Sequence, residues 1–486
     1  MDEFLRRWAR TEPDRTALVD ARSGDTYRYD ELDAWAGQIA SELASRGHET
    51  GDRVALAMAR QPAAIAAVWG IFRAGGVAVP LDPDEPSQNL HSRCERAQVE
   101  FCLLAPEGKE IPPEAVPPGC EPVQVPAGPP SGSGAESFDP RTRPLDATRL
   151  VLFTSGTTGQ PTGVRLTGRN LGASAASTVA RLGASTADRW LLDLPIYHAG
   201  GLSIPIRTAM LGARTVLRPA FDARETARTM REFDVTGVSL VPTMLDRLLD
   251  GPGLPDTLGF VLVGGAATPP SLVERALDAG VPLYASYGMT ETASGIATAT
   301  PSELAVEPET VGRPVRAASV SVLGPETRPV ATGDTGEIAV SGAIVSPGTL
   351  STGGDRPRDG LRTGDRGHRD GAGRLFVEGR IDDLIVTGGE NVSPRVVEAA
   401  LREALPVEAC AVLGLPDEEW GQQVAAALVP ETAEAAFSTD RVREALRGRM
   451  ADHELPRAVI TVESLPRTAS GTVDREALRA AFARRD

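Results

Sequence analysis

Apolar residues recur at the three-to-four-residue spacing of an amphipathic helix from Tyr29 to Arg46, and a short run from Arg53 to Met58 reads as a strand. From residue 149 a regular rhythm sets in. RLVLFTSGTTG, SLVPTMLDRLL, FVLVGGAAT and PLYASYGMTE each begin apolar and run into a Gly-rich or polar loop, with helical patterns between them. That alternation predicts a parallel or mixed α/β sheet, where ligands bind at loops beyond the carboxyl ends of the strands. Residues 117–145, rich in Pro, Gly and Ser with little periodicity, read as a long surface connection and not as a packed element. Near residue 380 the pattern changes. GRIDDLIVTGGENVSPRVVEAALREAL is a short strand, a glycine turn and a helix, with Ser393 placed to cap the helix and Pro394 suited to its first turn. The expected fold is α/β, with a large N-terminal domain of α/β sheets and packed helices over residues 1–381 and a small mobile α+β domain over 382–486.

Composition fits this division, since 486 residues at 41% hydrophobic content exceed a typical single domain. No window approaches the roughly 18 apolar residues that span a bilayer, and MDEFLRRWARTEPDR lacks the apolar centre of a signal peptide. A cytoplasmic protein without stable membrane insertion is expected. The net charge of −16 disfavours nucleic-acid partners, which reward basic patches. Cys94, Cys102, Cys120 and Cys410 show neither CxxC nor Cys/His ligand spacing and read as reduced, partly buried thiols. The five histidines are too scattered to indicate a metal site, and the oligomeric state stays open.

Candidate chemistry begins at Thr154-Ser155-Gly156-Thr157-Thr158-Gly159-Gln160-Pro161-Thr162-Gly163, directly after an apolar run. Hydroxyls and the backbone N–H groups that glycine leaves accessible can surround phosphate oxygens. No Gly-Lys-Ser/Thr closes the segment, so it is not a Walker loop. Tyr287-Gly288-Met289-Thr290-Glu291-Thr292 follows a strand, and its Glu291 suits a Mg²⁺ ion that bridges nucleotide phosphates. Thr363-Gly364-Asp365 offers an acceptor for a ribose diol, with a cation nearby in Gly379-Arg380.

Together and in this order these motifs resemble the acyl-adenylate-forming superfamily over nearly the whole chain. The resemblance implies an acyl-CoA synthetase that uses ATP, CoA, Mg²⁺ and a small carboxylic acid. It implies that Thr154, Ser155, Gly156, Thr157, Thr158 and Gly159 hold phosphates, that Gly264, Gly265 and Ala266 border adenine beside Tyr287 and Gly288, and that Thr290 and Glu291 serve AMP and Mg²⁺. Asp365 and Arg380 would bind ribose, and Asp382 would be the hinge of a C-terminal domain that rotates between two half-reactions. Gly388, Gly389, Glu390 and Asn391 would form the loop for thioester formation. A rotating lid lets one cleft first release pyrophosphate and then admit a thiol.

The chain departs from that family's pattern at two lysines. Thr162 stands where the phosphate segment has Pro-Lys-Gly, and Thr472, at the catalytic lysine position, stands in LPRTASGTVDRE where Gly-Lys is usual. Losing a preorganised cation at the α-phosphate costs on the order of 10²–10³ in rate. Lys109 is the only lysine among 50 basic residues, so the absence is part of a chain-wide bias, and Arg165, Arg169, Arg467 and Arg475 lie near the gaps. Slowed adenylation with intact thioesterification is expected.

For the acid, His198 on the segment LLDLPIYHAGGLS is placed to line or gate the acyl site. Arg207, in the apolar helical stretch IPIRTAMLGA, is costly there unless neutralised, and its planar fork could grip a second substrate carboxylate. Residues 198–213, with SYGMTETASGIAT and VTGGENVSP, look most like the o-succinylbenzoate-CoA ligases, whose aromatic dicarboxylic substrate would suit Arg207. Two alternatives remain: a ligase for a fatty or other aromatic acid, and a catalytically silent homologue that binds nucleotide or acyl-AMP.

Overall fold

Short apolar runs between glycine and proline punctuation become the strands of two sheets in the first part of the chain. The computed structural model describes residues 1–106, 116–130, 138–154, 161–351, 360–387, 390–417, 420–432, 437–467 and 473–484. The expected site residues Ser155, Gly156, Thr157, Thr158, Gly159, Gly388, Gly389 and Thr472 lie outside them. The chain forms two compact units, Met1–Val320 with Val340–Leu361, and Ser321–Ala339 with Arg362–Asp486.

In the first unit a nine-stranded sheet runs in the order Arg313–Pro314, Ala297–Ala299, Leu283–Tyr287, Phe260–Val263, Gly237–Leu240, Arg189–Leu192, Arg214–Leu217, Thr16–Asp20, Thr26–Arg28. From Leu283–Tyr287 to Thr16–Asp20 all neighbours are parallel, so these strands point their carboxyl ends the same way. A seven-stranded sheet follows the order Gly348–Thr349, Thr162–Thr167, Thr148–Thr154, Val77–Pro80, Arg53–Leu56, Phe101–Leu104, Glu121–Gln124. The helix predicted from Tyr29 is present as Tyr29–Ser45 and buries Leu32, Trp35, Ile39 and Leu43. It packs on Pro62–Arg73, a helix buried on every face, as its unbroken apolar run requires. The two approach so closely at Gly70 that a Cβ there would lie 2.7 Å from Ile39.

Two sequence expectations need correction. The stretch 117–145 is not wholly a surface connection, because Glu121–Gln124 is a strand paired in parallel with Phe101–Leu104, and Val123 and Val125 are buried. A four-residue strand is too short to show periodicity, and Pro122 is tolerated because the strand lies at a sheet edge. Ser393 does not cap the helix Pro394–Ala404: its hydroxyl donates to the Glu378 carbonyl at 3.3 Å, which satisfies it in the opposite direction. Pro394 does occupy the first turn.

The second unit is α+β. Its larger sheet orders Glu390–Val392, Ile385–Thr387, Gly421–Pro430 and Val407–Asp417, with Ala458–Thr461 also paired to Gly421–Pro430. Helices Pro394–Ala404 and Thr439–Leu446 bury Val397, Leu401, Val442 and Leu446 in one apolar cluster, while Leu478 and Phe482 of Arg475–Ala483 enter another with Ala425 and Ala427. Alternate residues of the central strand thus feed two separate cores. A further sheet orders Ser319–Leu323, Gly336–Ser341, Leu361–Arg369 and Leu375–Arg380. Among the described residues no helix is long and apolar enough to cross a membrane.

Candidate active site

The strand Thr148–Thr154 is buried from Arg149 to Phe153 and delivers Thr154 to its carboxyl end. It pairs antiparallel with Thr162–Thr167 in a register that sets Thr154 opposite Thr162, and the Thr154 hydroxyl donates to the Thr162 carbonyl at 3.3 Å. The expected phosphate segment is therefore closed at its base by a strand pair. Sequence reading missed Arg96, whose guanidinium donates to the Pro161 carbonyl at 2.8 Å. With Phe153, Thr162, Gly163 and Ser351 it lines an open cavity of about 440 Å³. Nothing in the local pattern of the helix Ser87–Ala97 marks that residue. Of the arginines expected near the missing lysines, Arg169 is paired with Asp146 at 2.5 Å, and Arg475 lies 3.7 Å from Asp383 and 3.9 Å from Glu398. Arg165 lies opposite Val151 in the strand pair. Arg467 forms an antiparallel bridge with Val473, directly across from the residue that follows Thr472.

Strand Phe260–Val263 ends at Gly264, Gly265 and Ala266, with Gly265 in the left-handed region. Its parallel neighbour Leu283–Tyr287 ends at Gly288, and the single 3₁₀ turn Thr290–Thr292 follows. There the chain doubles back so tightly that a Cβ on Gly288 would lie 1.7 Å from the Ser294 carbonyl oxygen. Ser294 itself has φ 111°, a conformation rare outside glycine and costly unless neighbours enforce it. The backbone carbonyl of Glu291 accepts from the Ser346 N–H at 2.8 Å, while its carboxylate has no partner among the described residues.

Arg207 holds that turn. It sits in the helix Ala199–Leu211, is 1% exposed, and its Nη2 donates to the Ser294 hydroxyl at 3.0 Å. The guanidinium lies 5.5 Å from the Trp190 ring, and among the described residues no carboxylate pairs with it and its buried Nε has no partner. Burial pushes the group down from its ordinary value to about 9. Arginine does not surrender its proton near neutrality, so the burial cost falls on a retained charge. An outward-snorkelling arginine is excluded by this burial. Ser294 and Trp190 were not singled out in the sequence, since both acquire meaning only from contact with Arg207.

His198 immediately precedes the same helix, stacks edge-on with Tyr197 at 4.7 Å, and has a buried Nε2 without a hydrogen-bond partner. Burial lowers its proton affinity, so the neutral ring is favoured. His198 and Arg207 are separated by about 13 Å of helical rise. Helical side chains lean toward the N-terminus, which brings the arginine head back toward the histidine end. A narrow, mostly apolar cavity beside this helix is lined by Ser174, Ala199, Leu202, Ser203, Ile206 and Ala293.

In the second unit the antiparallel strands Leu361–Arg369 and Leu375–Arg380 place Asp365 opposite Arg380. Arg380 Nη1 donates to the Thr363 carbonyl at 2.8 Å and lies 3.7 Å from the Asp365 carboxylate, and its Nη2 is 3.5 Å from Asp382. Gly364, with φ +71°, permits this, because a Cβ there would meet Arg380 at 2.9 Å. Three residues separated in sequence, Asp365, Arg380 and Asp382, are thus one cluster. Glu390 begins the strand Glu390–Val392 and pairs with Thr387.

Residues 5–350 match the family described as AMP-binding enzyme, and residues 396–472 match the AMP-binding enzyme C-terminal domain. The chain belongs to the AMP-binding enzyme family. Among its relatives, 2-succinylbenzoate–CoA ligase of Bacillus licheniformis is 34% identical over 487 residues, covering 98% of each chain. The fold is similar to that of o-succinylbenzoate CoA synthetase from Bacillus subtilis in complex with the acyl-adenylate intermediate OSB-AMP, with TM-score 0.89, 29% identity and 98% of each chain covered. The same synthetase in complex with ATP and magnesium ion gives TM-score 0.86 at 29% identity, covering 99% of each chain.

Proposed function

We propose that this chain is an acid–thiol ligase that converts ATP, 2-succinylbenzoate and CoA into 2-succinylbenzoyl-CoA, AMP and diphosphate through an acyl-adenylate, in the cytoplasmic synthesis of menaquinone. The observation that carries the acid is Arg207, a buried cation without an acidic partner among the described residues, nine residues after the His198 that precedes its helix. A dicarboxylate can present one carboxylate for adenylation and leave the other to Arg207, and the names of the relatives support the same acid. A fatty-acid ligase is disfavoured, because its apolar tail would leave the charge uncompensated.

In this reading the first carboxylate attacks the α-phosphate and diphosphate departs. Thr154 and the segment to Gly159 hold the phosphates, Gly264, Gly265 and Ala266 border adenine beside Tyr287 and Gly288, and Asp365 with Arg380 holds the ribose. The Glu291 carboxylate, without a partner among the described residues, fits Mg²⁺. When bound, the ion neutralises charge on the triphosphate. Thr290 lies beside it for the AMP phosphate, and neutral His198 lines the acyl entrance. Rotation about Asp382 then brings Gly388, Gly389 and Glu390 into play for attack by the CoA thiol on the acyl carbonyl. Among the described residues Arg96, which lines one cavity with Thr162, is placed to offset the lysine absent there, and Arg467, near Thr472 in sequence, is the candidate for the second gap.

The test is a substrate panel with purified protein, ATP, Mg²⁺ and CoA, scoring AMP and thioester. Turnover with 2-succinylbenzoate well above benzoate and octanoate is the expected result. Preference for octanoate overturns the acid, and nucleotide binding without diphosphate release from any acid favours a silent homologue.

A further inference from the structure

Three of the four cysteines converge in one apolar cluster of the first unit. Cys102 lies in the strand Phe101–Leu104, and Cys120 directly precedes its parallel neighbour Glu121–Gln124. The register Phe101↔Glu121 and Cys102↔Pro122 makes the two cysteines diagonal neighbours on one sheet face. Their Sγ atoms are 2.8 Å apart, and Cys94, from the helix Ser87–Ala97, lies in the same apolar cluster. Cys410 has a different partner, the Glu398 carbonyl at 3.4 Å.

We propose that Cys102 and Cys120 form a reversible disulfide when the protein meets a peroxide, making this edge of the sheet a thiol-oxidation site. Of the two, Cys120 is the more reachable, 9% exposed against 0% for Cys102. Its sulfur attacks a peroxide oxygen and loses a proton, which gives a sulfenic acid and releases one water. The Cys102 sulfur then attacks that sulfur. The S–S bond forms, the S–O bond breaks, and a second water carries off the hydroxyl and the remaining thiol proton. Two thiols are oxidised to one disulfide while one peroxide is reduced to two waters. The sulfurs already touch, and closing the bond draws the two chain segments together locally, since diagonal neighbours stand about 7–8 Å apart and a relaxed disulfide spans less. The proposal does not depend on the ligase reading.

The experiment is hydrogen peroxide treatment of the full native chain, followed by intact mass and peptide mapping. A loss of two hydrogens, a linked peptide joining Cys102 to Cys120, and full reversal by dithiothreitol are expected. The link should persist in Cys94→Ser and vanish in Cys120→Ser. A linked peptide that contains Cys94 in the wild-type chain, or oxygen addition at Cys102 or Cys120 without the link, overturns the proposal. Because the wild-type peptide map is decisive by itself, a variant that fails to fold does not rescue it.

Discussion

Taking a guanidinium out of water without an acid to face it is costly, and a chain retains such a group only where something offsets the cost. Arg207 is in that position, with one hydroxyl and one aromatic face as company. If the offset is a substrate carboxylate, Arg207→Leu raises KM for 2-succinylbenzoate about 30-fold or more, as expected for a lost charge-assisted hydrogen-bond pair. KM for ATP should rise far less in the same steady-state assay, because Arg207 touches the turn that carries Thr290 and Glu291 only through the Ser294 hydroxyl. Equal increases in both would remove Arg207 from the acid site. The same logic predicts the opposite effect on the empty protein. Because the buried charge costs more than its one hydrogen bond to Ser294 returns, Arg207→Met should stabilise the ligand-free chain by ~1 kcal/mol, read as a higher urea midpoint, while abolishing further stabilisation by the dicarboxylate.

Among the elements, the turn after Leu283–Tyr287 is the most constrained. Gly288 faces the Ser294 carbonyl, and Ser294 adopts a backbone conformation that Arg207 helps to hold. Gly288→Ala must push backbone against backbone, with no side chain able to yield. A loss of about 2 kcal/mol or more in urea unfolding is expected, together with a raised KM for ATP. The strand ends themselves were legible: RLVLFTSG, FVLVGG and PLYASYGMTE carry their loops where the alternation of apolar run and glycine placed them. The edge strand Glu121–Gln124 was not, because four residues with a proline lack a period to detect. Capping by Ser393 also failed, since a hydroxyl takes whichever partner tertiary structure brings, here the Glu378 carbonyl.

At the scale of the whole molecule, the two half-reactions should respond separately to charge. Thr472→Lys is expected to raise the rate of diphosphate release by up to ~10²-fold and to leave CoA capture of a synthetic acyl-AMP unchanged. Stability should depend on pH through buried neutral histidines. Burial lowers His48 and His198 below the ordinary imidazole value, so the unfolded chain binds more protons once the pH falls past about 6.5. Their contribution is therefore complete above that value and is lost as pH falls toward the lowered folded value. His48, 1% exposed with both ring nitrogens lacking partners among the described residues, is the cleaner probe, and His48→Leu should flatten the acid-side slope of Tm against pH. Sequence by itself determined the α/β class, the order of the motifs and the residue types at the strand ends, because these follow from local periodicity and from chemistry carried by contiguous residues. Only tertiary structure decided that Arg207 is buried without an acid among the described residues, that Ser294 and Trp190 are its company, that Arg96 reaches the Pro161 carbonyl, and that Cys102 touches Cys120. Each of those depends on segments far apart in the chain, and no local pattern encodes which of them meet.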